Sequence, residues 1–304
     1  LGFTGNMVQS NSISDAFHNA FGLPKLAVGL VTAAVAAFIF LGGVRRIASF
    51  TEKVVPIMAL FYIIGCTALL VINHEAVPEA LRMIFTSAFS TQAVVGGAAG
   101  ISVQQAMRIG VARGLFSNEA GMGSTPHAHA LAKVKHPQEQ GEIAMVSFFI
   151  DTFVILTLTA MVILTSGVLG SDATGAALAQ LAFSQKFGWF GDAFIAMCML
   201  FFAFSTIIGW YFFGEVNFKA LFGKKALPAY SIGVVLCVLF GSLQEVELVW
   251  NLSDLFNGLM VIPNLIALLA LSGLVVKISR ENWEEEDEKS AEEQFVPVQS
   301  AGME

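Results

Sequence analysis

Charged residues are scarce in this chain. They make up 13% of its 304 residues, whereas hydrophobic residues make up 56%, and the mean hydropathy is +0.72. Soluble globular domains carry about 25% charged residues. The scarcity excludes an ordinary soluble domain and predicts a chain built for a lipid environment.

Cysteine is also rare, and what there is lies in apolar runs. Cys66, Cys198 and Cys237 lack the spacing of a metal site, so we expect them to pack in the interior without forming a disulfide or zinc framework. A signal-peptide pattern is lacking too, since no basic n-region or short apolar h-region opens the chain at Leu1. The first residues, LGFTGNMVQSNSISDAF, are instead typical of the end of a helix, and we expect a fragment of a longer protein.

The acidic net charge of −7 comes from one end of the chain. Residues 281–304 hold nine acidic residues against one lysine, so the other residues carry a net charge of +1. Such a segment buries too little apolar surface to offset the entropy of ordering. We therefore expect two parts, a transmembrane transporter domain over 1–280 and a disordered cytoplasmic tail over 281–304.

Long apolar runs are what the chain has in abundance. Spanning a bilayer takes about 20 apolar residues, and the candidates are 26–44, 54–72, 143–168, 193–214, 253–276 and the shorter 228–243. The runs lack the alternating pattern of barrel strands. The fold class predicted is an all-α polytopic membrane protein.

Lysine and arginine between the runs predict the orientation. Positive residues favour the cytoplasmic side, and they cluster between the first two runs, before residue 143, after residue 214 and after residue 276. These groups lie on one side only if the chain crosses once more between residues 73 and 133. We therefore expect seven spans plus the end of an earlier one.

The additional crossing has to use a polar stretch, GLFSNEAGMGSTPHAHA at residues 114–130. Non-helical backbone at membrane depth survives only inside protein or along a wet cavity. We predict a broken helix, with one half ending near Phe116, an unwound turn over 117–123, and a second half from about Thr125 that is capped by Ser124 or Thr125. Secondary transporters bind substrates and ions at such breaks, and a helix N-terminus there offers N–H groups to a carboxylate.

The charged groups near the break have alternative interpretations. Glu119 either serves the site or pairs with Arg113 or Arg108, because an unpaired charge in a membrane is costly. His127 and His129 stand two residues apart, which points them to different sides of a helix and disfavours one shared metal ion.

Two aspartates interrupt the apolar runs. Asp151 and Asp254 are each candidates for a proton relay. Each is equally a candidate for a structural hydrogen bond to a neighbouring helix.

The roles of two further polar groups stay open. The adjacent hydroxyls of Ser205 and Thr206 either bond back to their own helix or coordinate a hard cation. Asn6, Gln9 and Asn11 belong either to a polar site or to a surface loop.

Several long segments together resemble the sodium:alanine symporters, the alanine or glycine:cation symporter family. They are GFTGNMVQSNS, GGVRRIASFTEKVVP, GVARGLFSNEAGMGSTPHAHA, FAFSTIIGWYFFGE and LVWNLSDLFNGLMVIPNLIALL, in that order. The resemblance implies a leucine-transporter-like bundle of two inverted five-helix repeats. Residue 1 would lie near the end of core helix three, the later spans would be core helices four to ten, and the polar stretch would be the break in helix six.

The resemblance implies a sodium-coupled symporter of alanine or glycine that works by alternating access. It implies no enzyme activity, a multi-pass location in the cell inner (plasma) membrane, sodium as the coupling ion, and a small neutral amino acid and the lipid bilayer as partners, without nucleic acid. The family's first broken helix is not in this sequence, so half of each site is expected elsewhere. Proton coupling through Asp151 or Glu119 is the alternative. A distant alternative is an intramembrane hydrolase that uses Ser124 with His127 or His129, although a G-x-S-x-G motif is lacking.

The predicted site has a substrate part and an ion part. Backbone and polar groups of the break would hold the amino acid, two aromatic residues would wall it, and helix three would close it; the residues are Ser117, Asn118, Gly121, Gly123, Phe116, Trp210 and Gln9. By the resemblance, the hydroxyls of Ser205 and Thr206 form half of a sodium site with the carbonyl of Phe202.

The orientation yields a direct test by cysteine labelling. Positions 53, 135 and 225 and the acidic tail should be protected from a membrane-impermeant thiol reagent in intact cells, because they face the cytoplasm. Positions 74, 185 and 244 should react. Labelling at position 135 from outside would contradict the seven-span arrangement.

Overall fold

The computed structural model describes residues 1–89, 97–119 and 121–280, and these residues form helices and connecting turns without a strand. The predicted tail at 281–304 lies outside the described residues. The helices are α1 Thr4–Phe21, α2 Lys25–Phe40, α3 Gly43–Ile72, α4 Val77–Phe89, α5 Gly97–Asn118, α6 Pro126–His129, α7 Pro137–Phe149, α8 Thr157–Thr165, α9 Ala176–Phe187, α10 Trp189–Phe222, α11 Leu227–Gly241 and α12 Val246–Ser279. A π-helical segment, Ile150–Leu156, joins α7 to α8.

Among the described residues, five stretches of helix are long and apolar enough to cross a membrane. They are Glu52–Ile72, Pro137–Thr165, Trp189–Phe222, Lys224–Gly241 and Val246–Ser279, and α2 is a shorter apolar helix. All six predicted runs are therefore helical, which confirms the all-α polytopic class. The arrangement as inverted repeats stays a prediction.

The helix boundaries differ from those of the apolar runs. α10 and α12 each have 34 residues and extend beyond the predicted 193–214 and 253–276. α2 ends at Phe40, and α3 begins at Gly43, within the run predicted over 26–44. α10 and α12 are longer than their runs because helices continue into polar residues at their ends, where hydropathy falls but backbone hydrogen bonding continues.

α1 is a central element of the bundle. Its 18 residues give a length of about 27 Å, and it packs against α2, α10, α11 and α12. Asn6, Ser10, Asn11 and Ser14 on this helix are at most 1% exposed. The surface-loop alternative for the polar cluster at the chain start is therefore wrong.

Backbone carbonyls of α11 and its following turn explain why polar residues can be buried on α1. Nδ2 of Asn11 donates to the carbonyls of Gly241 at 3.0 Å and Gln244 at 2.7 Å. The hydroxyl of Ser14 donates to the carbonyl of Ser242 at 2.8 Å. These are carbonyls at a helix end, which lack partners within their own helix. The polar face of α1 thus stabilises the end of α11 and orients both helices.

A glycine of α11 allows close packing at the same interface between α1 and α11. A Cβ placed on Gly241 would overlap the Cα, Cβ and carbonyl oxygen of Met7 on α1. Between α2 and α10, Phe40 stacks on Tyr211 with ring centroids 3.7 Å apart in the largest apolar cluster of the described residues. Helices in membranes commonly associate through such small residues, because lipid offers little hydrophobic drive for association.

The close contact of Gly241 with Met7 predicts that alanine substitutions at two helical glycines affect stability differently. Gly241→Ala should destabilise the protein by about 1–3 kcal/mol, because the methyl group overpacks a rigid backbone contact. Gly273→Ala on α12 is the matched control, since nothing lies within 4 Å of its Cβ position. It should be neutral or slightly stabilising, because alanine favours a helix over glycine. Thermal melts of the detergent-purified protein measure both, and equal melting temperatures would contradict the packing argument.

Candidate substrate and ion site at the helix break

The predicted break is present between α5 and α6. α5 ends at Asn118, two residues later than predicted, and α6 begins at Pro126. Within the break, Glu119, Gly121 and Gly123 have φ values of 50°, 75° and 75°. Glycine adopts this left-handed region without steric cost. Among the described residues, Glu119 is the only residue other than glycine with a positive φ. An unfavourable backbone conformation of this kind needs support from the contacts of the residue.

The second half-helix differs from the prediction. α6 has only four residues, Pro126–His129, and Thr125 precedes it without a side-chain capping bond. The hydroxyl of Ser124 donates to a carboxylate, so it does not cap the helix. A single turn aligns too few peptide dipoles for the anion site that we expected at this N-terminus.

α12 holds the glycine-rich part of the break. Nδ2 of Asn264 donates to the carbonyl of Gly121 at 2.9 Å. A Cβ on Gly123 would approach Oδ1 of the same Asn264 to 2.7 Å. Position 123 therefore requires glycine both for its φ value and for its closeness to α12.

The two predicted aromatic walls are in contact. Phe116 packs edge-on against Trp210, with ring centroids 5.1 Å apart, and also against Trp250 at 4.9 Å. Trp210 is 4% exposed, and its ring lies against Gly5 of α1. Gln9 is four residues after Gly5, so it lies on the same face of α1, one turn further on. The structure thus brings Phe116 and Trp210 together and places Gln9 on the adjoining face.

Ser117 and Asn118 turn to a different neighbour. The hydroxyl of Ser117 donates to Oδ2 of Asp151 at 2.9 Å, and the hydroxyl of Thr152 donates to Oδ1 of Asn118 at 2.7 Å. Successive residues of a helix are about 100° apart, so these two side chains cannot share the direction of Phe116. The predicted substrate residues are therefore divided between the face toward α1 and α10 and the face toward the π-helical segment.

Glu119 links the break to α10. Its Oε1 accepts a hydrogen bond from Nε1 of Trp210, and its Oε2 accepts one from the hydroxyl of Ser124 at 2.5 Å. The alternative that it pairs with arginine is wrong, because Arg113 bonds Oδ2 of Asp254 at 2.5 Å. Arg108, the other candidate, is exposed.

The Arg113–Asp254 ion pair joins α5 to α12. The guanidinium also lies over the ring of Trp250, 3.9 Å from its centroid. Asp254 therefore makes the structural bond to a neighbouring helix that the sequence left open, here as an ion pair.

The two histidines have separate partners. His127 donates from Nδ1 to the carbonyl of Ser124 at 2.8 Å and accepts at Nε2 from Asn217 at 3.0 Å. Nδ1 of His129 accepts from Gln140 at 2.7 Å. Among the described residues, no three His, Cys, Asp or Glu side chains group closely enough to hold a metal ion.

The hydroxyls predicted to bind sodium converge on one carbonyl. Oγ of Ser205 and Oγ1 of Thr206 each donate to the carbonyl of Phe202 at 2.9 Å. The back-bonding alternative therefore describes their present contacts. Each hydroxyl oxygen keeps lone pairs, so the three oxygens lie together within one turn of α10.

Three site residues were not identified from the sequence. Asn264 orders the break, Trp250 backs the aromatic wall, and Thr152 bonds Asn118. Asn264 carried a signal, since it is one of two amides, with Asn257, in the apolar run at 253–276. A cavity of about 440 Å³ also lies beside the break, between α10, α12 and the residues that precede α1, and its lining includes Ser124 and Asn264.

Comparison with known proteins identifies a family of symporters and several relatives that are named as transporters. A sequence model of the sodium:alanine symporter family matches residues 1–297. The probable sodium/glutamine symporter of Bacillus subtilis is 43% identical over 277 residues, which cover 90% of this chain and 57% of the relative. The sodium/alanine symporter of Methanococcus maripaludis is 41% identical over 276 residues, 90% of this chain and 60% of the relative. The sodium/proton-dependent alanine carrier protein of a Bacillus species, strain PS3, is 38% identical over 283 residues, 87% of this chain and 63% of the relative.

The chain spans about three fifths of the length of these relatives. The family and these relatives are transporters and not enzymes, which overturns the hydrolase alternative for Ser124. A match over nearly all of the chain leads to one conclusion. The chain belongs to the sodium:alanine symporter family.

Proposed function

We propose that the protein carries out sodium-coupled symport of a small neutral amino acid, alanine or glycine, across the cell inner membrane by alternating access. The observation that carries the proposal is the break at residues 119–125, whose carboxylate bonds the tryptophan of a buried aromatic wall. Unwound backbone at membrane depth leaves N–H and C=O groups for a zwitterionic ligand.

The aromatic wall supports a small substrate. Phe116, Trp210 and Trp250 pack together on one side of the break, so a substrate held against this wall has little room for a side chain. The names of the relatives include alanine for two and glutamine for one. Such variation fits a common site for the amino and carboxylate groups and a variable wall for the side chain.

The substrate's charged groups would meet the break itself. We assign its carboxylate and amine to backbone groups at Gly121 and Gly123, with Gln9 closing the site from α1. Ser117 and Asn118 bond the π-helical segment in this structure, so their predicted contact with the substrate belongs to another state of the transport cycle. The N–H groups at these positions would serve the substrate, since glycine carries no side chain to cover them, whereas the carbonyl of Gly121 is bonded to Asn264.

The ion part of the proposal rests on α10. Sodium is a hard cation that prefers oxygen ligands, and Ser205, Thr206 and the Phe202 carbonyl offer three within one turn. If sodium and substrate stabilise the same state, each raises the affinity of the other, which is the thermodynamic content of coupling.

Proton coupling is a second candidate, because one relative is named sodium/proton-dependent and Glu119 bonds only neutral donors. Alanine uptake by the intact gene product in sodium-free buffer at varied pH separates the two. Uptake that persists without sodium and rises with a proton gradient favours proton coupling alone.

Removing a hydroxyl should weaken sodium binding. Ser205→Ala and Thr206→Val in the intact gene product should each raise the sodium concentration for half-maximal alanine uptake about five- to a hundredfold, since an unmade buried polar contact costs about 1–3 kcal/mol. Substrate affinity at saturating sodium should change much less.

Ser272→Ala on α12 is the matched control, because that hydroxyl also bonds back to its own helix, to Leu269 at 2.8 Å, on an exposed face. It should keep the wild-type sodium curve. If both α10 variants keep it as well, the sodium assignment fails.

Opening the aromatic wall should change substrate selection. Trp210→Ala should admit amino acids with larger side chains, because it removes the ring that closes against Phe116. Competition of unlabelled amino acids with alanine uptake measures the effect. Trp189→Ala, at the far end of α10 and bonded to the Ala20 carbonyl, should leave selectivity unchanged. Unchanged selectivity in Trp210→Ala with normal alanine uptake would remove this ring from the pocket.

A further inference from the structure

Within the part of the chain that the structure describes, the Glu119 carboxylate accepts no hydrogen bond from a cationic side chain. It accepts only from the indole N–H of Trp210 and the hydroxyl of Ser124, both neutral donors. Arg113, on the preceding helix α5, is already paired with Asp254. A charge in this setting is expensive, and groups of this kind in membrane proteins commonly serve transport.

The other titratable groups around Glu119 do not form bonds to it. His129 on α6 faces it at longer range and accepts a bond from Gln140. His127 is held by the Ser124 carbonyl and by Asn217. The amino group of Leu1, before α1, also faces the carboxylate, and it carries a charge only if Leu1 is the first residue.

We infer that Glu119 is the proton-binding group of this transporter, loaded from water on one side of the membrane and unloaded on the other. On loading, an O–H bond forms on Oε2, a hydronium ion becomes water, and the carboxylate becomes a neutral acid. The hydroxyl of Ser124 can rotate to accept from this new donor over the 2.5 Å that separates the two oxygens. Trp210 continues to donate to Oε1.

The geometry favours a proton over a second sodium ion. Hard metal cations take about six oxygen ligands, whereas both oxygens of Glu119 already have close hydrogen-bond donors. The nearby carbonyl of Gly121 is taken by Asn264. A proton needs one lone pair on one oxygen, which this arrangement supplies through Ser124.

Protonation would be transmitted to the aromatic wall. A hydrogen bond to a charged acceptor is roughly twice as strong as one between neutral groups, so Trp210 is held less firmly by the neutral acid. The link to substrate binding rests on the proposed function, whereas the protonation itself does not.

Tryptophan fluorescence of the purified intact gene product tests the protonation directly. The wild-type emission should change with pH as a single-proton transition, and the transition should vanish in Trp210→Phe, which assigns the signal. It should also vanish in Glu119→Gln. Glu79→Gln is the matched control, since this carboxylate is exposed and pairs with Arg82; it should keep the transition. A transition that survives in Glu119→Gln would overturn the inference.

Uptake into proteoliposomes gives the second readout. With sodium saturating, the pH dependence of alanine uptake should be lost in Glu119→Gln while its sodium dependence remains. An unchanged pH profile in that variant overturns the proton assignment. Alanine uptake by the wild-type protein that does not depend on sodium would instead contradict the proposed function. If Glu119→Gln does not fold, Glu119→Asp is the replacement variant. It should shift the pH midpoint of the fluorescence transition, and an unshifted midpoint would also contradict the inference.

Discussion

The backbone of the break must be satisfied by protein, because lipid offers it no hydrogen bonds. The bond from Asn264 to the Gly121 carbonyl meets this constraint from α12. The side chain of Glu119, in the same segment, is bonded to Trp210 of α10. These contacts join the unwound segment to two of the longest helices of the described residues. The rest of the site depends on them, since Phe116 and Ser124 are positioned on either side of the segment that they hold.

The polar face of α1 also satisfies backbone groups of another segment, in this case carbonyls at the end of α11. Its amides and hydroxyls bond the carbonyls at the end of α11, and its Gly5 lets the Trp210 ring lie against the backbone. A helix with this many polar groups would be unstable against lipid. Inside the bundle it supplies a polar, closely packed centre around which α2, α10, α11 and α12 assemble.

The sequence predicted well those features that depend on residue type along the chain. Apolar runs identified the membrane helices, and Glu119 with its flanking glycines identified the break, because helix formation and lipid exposure are mainly local or compositional. It predicted less well where helices end. Hydropathy falls before hydrogen bonding does, so α10 and α12 are longer than their apolar runs. The sequence left a surface loop open as an alternative for Asn6, Gln9 and Asn11, because it does not show that distant carbonyls accept hydrogen bonds from the buried polar side chains of α1.

The sequence by itself determined the membrane class, the position of the break and, through its motifs, the family. Only the tertiary structure decided which polar group meets which. Arg113 bonds Asp254 and leaves Glu119 to Trp210, although Arg113 and Glu119 are only six residues apart and their pairing was the simpler expectation. Ser117 and Asn118 face the π-helical segment, whereas Phe116 beside them faces α10. Partner choice is set by how helices distant in sequence pack and rotate against one another, and no local pattern of residues contains that information.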